Sequence, residues 1–439
     1  MKTKPLKYLT VALYHPRVMK GGAQYVAKDL HDMAVNDPEV DPVLLAGIDA
    51  RMFPQYARVG SAISLLPDSQ NEYILGGHKF DDFYHVVYDP RRNKMIARFL
   101  ADHRPDVIHI HHSLWVGLEF IELCRRIVPD AKIIYTLHEY LPICYSQGQL
   151  FRYHEKAICR DDAPDQCVKC FPQRSVEEFI LRKRAFRRAF DKIDHFISPS
   201  HYLRNRFVAW GIDPDRISVI ANGHGISRPA DWTPQHSKKL NIFGYFGQFV
   251  DAKGIDILLQ AARSVAETTG EALEIKIFGG NKQHASPDYL ERIERVMNDA
   301  PANLLVTEVG AYSRNNVFDL MNSVDWVVVP SVWPETFGLV VSEAWEARRP
   351  VLASRAGGLG ERIIDGVNGI SFPPGSSSSL AQIMSDCLSN EALWQKMATA
   401  MADEISMDTA WSMHRQLMQS ISAESAGRTV TKIPVAKAG

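Results

Sequence analysis

Short apolar runs alternate with amphipathic stretches along this chain, and the alternation starts twice. Leu6 to Tyr14 reads as a strand, and Gly21-Gly22 opens a helical pattern that continues to about Met33. Val43 to Ala46, Val107 to His111, Ile133 to Leu137 and His195 to Ser200 are further β-rich runs bounded by turn residues, the last closing the first half. The pattern restarts with Ile242 to Phe246 as strand and Ile255 to Val265 as helix. Leu273 to Phe278, Leu304 to Val309, Trp326 to Val329 and Val351 to Ser354 read as strands, with helical patterns at Asn315 to Met321 and Val340 to Ala347. Strands alternating with helices predict parallel, doubly wound sheets, hence an α/β protein. Two stretches interrupt the first half, about 53–95 and about 141–175, and read as loop-rich insertions near the sheet's crevice.

The Pro-rich, polar stretch from Gly225 to Lys239 reads as a connection between the halves. The expected division is a first Rossmann-like domain at 1–225 and a second at 226–407. A helix at 408–427 would return to the first domain, followed by a disordered tail at 428–439. A chain of 439 residues exceeds one ordinary core, which agrees with such a division. The 46% apolar and 23% charged composition is globular, and a formal net charge of −1 gives no footprint for nucleic acid. No apolar run approaches the length of a membrane span. Three lysines precede the short apolar stretch ending at Tyr14, which runs into His15-Pro16-Arg17 without a small-residue cleavage site. It therefore reads as the first strand, and a cytoplasmic location is expected.

Candidate chemistry gathers at the ends of the strands. Glu335 and Glu343 stand eight positions apart in Pro334-Glu335-Thr336-Phe337-Gly338-Leu339-Val340-Val341-Ser342-Glu343. The pattern puts Glu335 on a loop at the carboxyl end of a strand and Glu343 inside the next helix. In an open α/β sheet ligands bind in that crevice, and Gly338 would open backbone N–H groups to an anion. Gly21-Gly22 forms a similar turn, though not a full G-x-G-x-x-G fingerprint. Lys253, in Gly247-Gln248-Phe249-Val250-Asp251-Ala252-Lys253-Gly254, can hold a phosphate as a point charge. Each of these features also has a bland reading as a solvated charge or a plain turn.

Three further clusters broaden the picture. Cys144, Cys159, Cys167 and Cys170 suit a structural zinc site, or free thiols; a catalytic zinc would need an open position. His109 and His111 share one strand face, and with His138 they support a rival reading as a metal-dependent hydrolase. Arg182-Lys183-Arg184 and Arg187-Arg188 are interleaved with Phe179, Phe186 and Phe190. This stripe reads as a core face under a solvated basic face, or as peripheral attachment to anionic lipid.

Taken together, these motifs resemble the retaining glycosyltransferase family 4, of the two-domain GT-B fold. The matching pieces are Gly21-Gly22, His138, Gly247 to Gly254, Phe278-Gly279-Gly280, Pro330-Ser331, Glu335 to Glu343, and Gly357-Gly358-Leu359-Gly360-Glu361. They follow the family's order, and Pro330 to Gly369 is the most specific stretch. The resemblance implies a nucleotide-diphosphate sugar donor bound mainly by the second domain, with the first domain on the acceptor side. It implies that Glu343 holds the ribose hydroxyls and Lys253 the diphosphate, with Gly21 and Gly22 closing over it. Gly279 and Val309 would line the nucleoside pocket. Glu335, with N–H groups from Phe337, Gly338 and Leu339, would hold the sugar, and His138 would contact the sugar or align the acceptor. Family members often carry arginine where Gln248 stands, so here another group must supply that charge. No metal is implied for catalysis. The implied activity is hexose transfer to a glycan or lipid-linked acceptor in polysaccharide biosynthesis. Alternatives are a synthase using a small soluble acceptor and a non-catalytic scaffold that binds a nucleotide sugar.

Overall fold

The computed structural model describes residues 4–425 apart from 59, 153, 156, 161, 227, 230, 231, 402 and 403, and leaves out the side chains of 284, 424 and 425. The tail expected at 428–439 lies outside the described residues. Two sheets organise the chain. The first has eight strands, in spatial order Ile217–Val219, His195–Ser198, Lys132–Thr136, Val107–Ile110, Leu6–Leu13, Val40–Asp49, Glu72–Gly77 and Ile63–Leu65. All pair in parallel except Ile63–Leu65, which runs antiparallel to Glu72–Gly77. The second has six parallel strands: Leu304–Gly310, Leu273–Phe278, Ile242–Phe246, Trp326–Val329, Val351–Ser354 and Gly369–Phe372.

These strands read as unbroken apolar runs because helices cover both faces of each sheet. Trp326–Val329 and Val351–Ser354 are buried at every position. Each sheet has its own apolar core: Leu9, Ile108, Ile133 and Phe196 in the first, Phe243, Ile275, Val327 and Leu352 in the second.

Two expectations about the first half need correction. The stretch 53–95 is more than an insertion, since it supplies the last two strands on one side of the sheet, Glu72–Gly77 and the edge strand Ile63–Leu65. These strands are three and six residues long, and the longer ends in Gly76-Gly77, so their sequence carries little strand signal. The last strand of this sheet is Ile217–Val219 rather than His195–Ser198. The stretch 141–175 holds a two-residue hairpin ladder, 151–152 with 157–158, and the short helix Pro164–Cys170.

Met407–Ser425 is a helix whose Met407, Trp411, Leu417, Met418 and Ile421 pack into one cluster with Tyr8, Val26, Leu30 and Ile134 of the first half. Trp411 stands edge-on to Tyr8 at 5.7 Å between centroids and donates Nε1–H to Asp37 at 3.2 Å.

Candidate active site

In both sheets the strand order reverses beside the first strand of the half, and such switch points are where open α/β sheets form ligand crevices. In the second sheet the reversal lies between Ile242–Phe246 and Trp326–Val329. The loops leaving these two strands carry the candidate residues. After Phe246 the chain makes a short turn, Asp251–Lys253, and Gly254 opens the helix Ile255–Thr269. Gly254 has φ +69°, and a Cβ there would lie 2.2 Å from the Pro330 carbonyl oxygen, so only glycine lets the loops approach. The Val332 N–H then donates to Ala252 O at 2.9 Å.

This contact brings Lys253 to Glu335. Lys253 Nζ donates to Glu335 Oε1 at 2.6 Å. The same oxygen accepts from Ser331 Oγ at 2.6 Å and Trp333 Nε1 at 2.9 Å. Lys253 Nζ also stands 5.2 Å from the Trp333 ring centroid. Glu335 is 6% exposed and the Lys253 side chain 29%, and three donors on one carboxylate oxygen make this a strong, charge-assisted contact. The sequence placed the lysine free for a phosphate; here it is held by the carboxylate.

Glu343 lies within the helix Leu339–Glu346, where desolvation pushes its carboxyl up to about 7 against the opposing pull of Arg314. Arg314 Nη1 bonds Asp29 Oδ1 at 2.5 Å, and its guanidinium lies 4.5 Å from the Tyr25 centroid. Tyr25 and Asp29 belong to the helix Gly22–Val35 of the first half, so Arg314 ties the halves together beside Glu343. Gly338 has φ +86° and starts the Glu343 helix. Arg362 fixes this corner: Nη1 donates to Gly338 O at 2.8 Å, Nη2 to Ser342 Oγ at 2.8 Å, and the guanidinium lies 4.0 Å over Phe337. Glu404 neutralises it.

A Cβ on Gly22 would sit 3.1 Å from Leu339 Cδ1. Gly22 and Leu339 are the first residues of their helices, so two positive helix ends abut across the cleft. That arrangement favours an anion between them. Gly279 permits a close turn, since a Cβ there would lie 2.5 Å from Gly247 O. Gln248 is exposed, and Val309 is 49% exposed at the end of its strand.

On the first-half side, His138 follows the strand Lys132–Thr136 and stacks on His111 at 17°. His111 Nδ1 and His138 Nε2 are 3.0 Å apart. Burial holds His138 down to about 3 and His111 well below its ordinary value, so both rings are neutral. His109 is spoken for, with Tyr8 Oη and Thr136 Oγ1 each 2.6 Å from its two ring nitrogens. No group of three or more His, Cys, Asp or Glu among the described residues is arranged to hold a metal ion. This removes the geometric basis of the hydrolase reading at His109, His111 and His138. It applies equally to Cys144, Cys159, Cys167 and Cys170, none of which is in a disulfide. Cys144 and Cys159 pack against the first core, while Cys167 and Cys170 sit on the helix Pro164–Cys170. Burial, with the neighbouring cysteines adding to it, pushes the Cys167 thiol up to about 12.

The basic stripe divides. Phe179, Phe186 and Phe190 are buried on the helix Val176–Phe190, as their spacing predicts. Arg182 is buried with them, donating to the carbonyls of Leu141 and Pro142 and lying 4.7 Å from the Phe186 ring centroid. It anchors the start of the 141–175 insertion instead of joining the surface charge. Lys183, Arg184, Arg187 and Arg188 line a groove of about 390 Å³ with Ile180.

Comparison with known proteins bears on this architecture. The family model "Glycosyltransferase Family 4" matches residues 64–228, and "Glycosyl transferases group 1" matches 229–404, so the two together run without a gap from 64 to 404. The chain belongs to glycosyltransferase family 4. An uncharacterized glycosyltransferase of Methanocaldococcus jannaschii is 31% identical over 245 residues, covering 54% of this chain and 61% of that protein. A D-inositol 3-phosphate glycosyltransferase of Rhodococcus jostii is 30% identical over 171 residues, 37% of each chain. The chain spans about half the length of the curated relatives it matches. Among solved structures, Anabaena HepE in complex with UDP-glucose aligns with TM-score 0.58 at 17% identity, covering 96% of this chain and 98% of that one. Sucrose-phosphate synthase from Thermosynechococcus elongatus aligns with TM-score 0.64 at 17% identity, covering 97% and 98%. These similarities establish the GT-B fold, two Rossmann-like units facing across a cleft.

Several features of the cleft escaped the sequence reading: Trp333, the bond of the motif residue Ser331 to Glu335, Arg362 behind Phe337, and the Arg314–Asp29 pair. Ser331 and Trp333 lie within four positions of Glu335, and their polar atoms were the available signal. Asp29 and Arg314 are 285 positions apart, and one sequence holds no trace of their meeting.

Proposed function

We propose that this protein is a retaining hexosyltransferase that moves a hexose from a nucleotide-diphosphate sugar to a glycan or lipid-linked acceptor in polysaccharide assembly. The observation that carries the reading is the Lys253–Glu335 hydrogen bond at the switch point of the second sheet, beside two abutting helix ends. A partly exposed lysine paired with a buried carboxylate, next to an anion-ready junction, suits a leaving diphosphate. Donor binding draws Lys253 onto the diphosphate, where it supplies the charge that Gln248 lacks. Glu335 Oε1 keeps its bonds from Ser331 and Trp333 and turns its remaining acceptor capacity to the sugar hydroxyls. Glu343 accepts from the ribose hydroxyls, and Gly279 and Val309 flank the base. His138, neutral and oriented by His111, contacts the sugar or the acceptor.

The bond between the anomeric carbon and the diphosphate oxygen breaks through an oxocarbenium-like state. The acceptor oxygen attacks on the same face, and its proton passes to the departing diphosphate oxygen. Stabilising that departing charge is the main task, met by Lys253 and the helix ends.

The exposed face of the helix Val176–Phe190 supports a membrane-borne acceptor: Val176, Ile180 and Leu181 are 37%, 36% and 52% exposed beside Lys183, Arg184, Arg187 and Arg188. A second reading, a small soluble acceptor, is favoured by the relatives named for D-inositol 3-phosphate. Flotation with anionic vesicles separates the two, since the first requires binding lost on charge reversal at Arg184 and Arg188. The donor reading is tested by a panel of uridine, guanosine and adenosine diphosphate sugars assayed for slow hydrolysis without acceptor. One of them should be consumed; a folded protein that binds and consumes none overturns the reading.

A further inference from the structure

The loop that follows the strand Val107–Ile110 carries His111 and then runs on across the first sheet, over the strand Val40–Asp49. A Cβ on Gly47 would lie 2.9 Å from Val116 Cγ2 and 3.0 Å from Trp115 C, and one on Gly77 would lie 3.5 Å from Trp115 Cε3. Gly77 ends the next strand, where it pairs with Asp49. Trp115 therefore stands near the carboxyl ends of two strands, on the other side of the switch point from His138. Its backbone is left-handed, with φ +61°, which a bulky aromatic residue adopts only when its surroundings hold it there. Arg92 does so. This arginine is 1% exposed, and its Nη2 donates to Trp115 O at 2.8 Å and Val116 O at 2.9 Å. Its Nη1 donates to Glu119 Oε1 at 3.1 Å and its Nε to Gly76 O at 3.2 Å. A buried cation thus fixes one strained tryptophan at the rim of the crevice. Trp115 packs on the small apolar cluster around Tyr14 and Ile48 and yet stays half-buried. Phe80 is half-buried too, its ring centroid 5.0 Å from that of Trp115 at a tilt of 38°.

A second preorganised group meets this ring. The Arg51 side chain is 63% exposed, yet the buried Asp49 holds it as a fork. Asp49 Oδ1 accepts from Arg51 Nε at 3.1 Å and Oδ2 from Nη2 at 3.0 Å, so Nη1 is left without a partner among the described residues. The guanidinium lies 5.8 Å from the Trp115 centroid. An exposed arginine gains little stability from one fixed geometry and gives up rotamer freedom for it. Held beside a half-exposed indole, it forms a polar edge to an apolar platform. That combination matches a pyranose ring. The C–H face of a sugar is apolar and slightly positive, which suits the negative face of an indole, while its hydroxyls need fixed donors at the edge. A lipid chain would leave the guanidinium unused, and a bare phosphate would leave the indole unused.

We propose that Trp115, Phe80 and Arg51 form a saccharide-binding platform in the first half, on which a sugar residue of the acceptor stacks. That this sugar belongs to the acceptor rests on reading the cleft as a transfer site; sugar binding itself does not. Saturation-transfer NMR titrations of the full-length chain use the methyl glycosides of glucose, galactose, mannose and N-acetylglucosamine. Wild type should bind at least one of them. Trp115→Ala should weaken that binding by at least about tenfold, with losses of about threefold in Trp115→Phe and in Arg51→Gln. Glu335→Gln should keep it. Wild-type affinity in a folded Trp115→Ala protein overturns the proposal. Should that variant not fold, wild-type affinity in both Trp115→Phe and Arg51→Gln overturns it equally. So does the absence of binding by all these glycosides, or a loss confined to Glu335→Gln, which would place the glycoside in the donor's sugar position. Trp115-dependent binding in a protein that consumes no nucleotide sugar keeps the platform and removes the transfer reading. Consumption of a donor with binding indifferent to Trp115 does the reverse.

Discussion

Glu335 gathers Lys253, Ser331 and Trp333 onto one buried carboxylate oxygen. When Lys253 moves to the diphosphate, Ser331 and Trp333 still hold that oxygen in place, and a carboxylate so oriented is preorganised for electrostatic stabilisation. Glu335→Gln keeps shape and loses charge. It should lower turnover by roughly 100-fold or more while changing donor affinity much less, as steady-state kinetics with calorimetry would record. Glu343 offers a second prediction. Its carboxyl, raised to about 7, is protonated below that pH and ionised above it. A carboxylate accepts hydroxyl protons better than the neutral acid, so affinity for an intact sugar nucleotide should rise from pH 6 to 8. Glu343→Gln should flatten that rise; a flat wild-type profile would count against the ribose assignment. Because the folded value lies above the ordinary one, the unfolded chain holds fewer protons between about 4.5 and 7, and this group lowers stability as pH climbs through that window. Glu335, Glu343 and Lys253 were legible because strand-end carboxylates and a loop lysine stand out against apolar runs. Their partners were not, since a serine and a tryptophan in a loop look ordinary until the fold brings them to one oxygen.

The elements follow the same division. The long buried strands and their helices were readable from apolar spacing. The strands Ile63–Leu65 and Glu72–Gly77 were not, because the first is a three-residue edge and the second ends in two glycines, so both carry a weak pattern. Arg182 shows the complementary failure: charge composition assigned it to the surface, but the cation sits among Phe83, Tyr145 and Phe186 with carbonyl acceptors. The helix Met407–Ser425 crosses back to cover the first half through Trp411, Leu417 and Met418. Trp411→Ala removes a 7% exposed ring that contacts Tyr8 and Asp37. It should cost about 3–5 kcal/mol in denaturant unfolding of the first half, with the second half's transition less affected. Equal shifts of both transitions would mean that the halves unfold as one unit.

Across the molecule, two switch points face each other, one carrying His111 and the Gly21–Gly22 turn, the other Lys253 and Glu335. Polar contacts that span the gap include Arg314 with Asp29, Ser200 with Thr336 and His201 with Glu361, and the helix Met407–Ser425 adds Trp411 with Asp37. The sequence disclosed that there were two such units, because each repeats the strand–helix alternation. Which residues meet across the cleft depends on the relative placement of the units, and no local pattern encodes that. Same-face transfer of a hexose from a nucleotide-diphosphate sugar is tested by a proton NMR time course of donor consumption, reading the anomeric configuration of the first sugar product before it mutarotates. Retention of the donor's configuration is expected; an inverted first product would contradict same-face transfer.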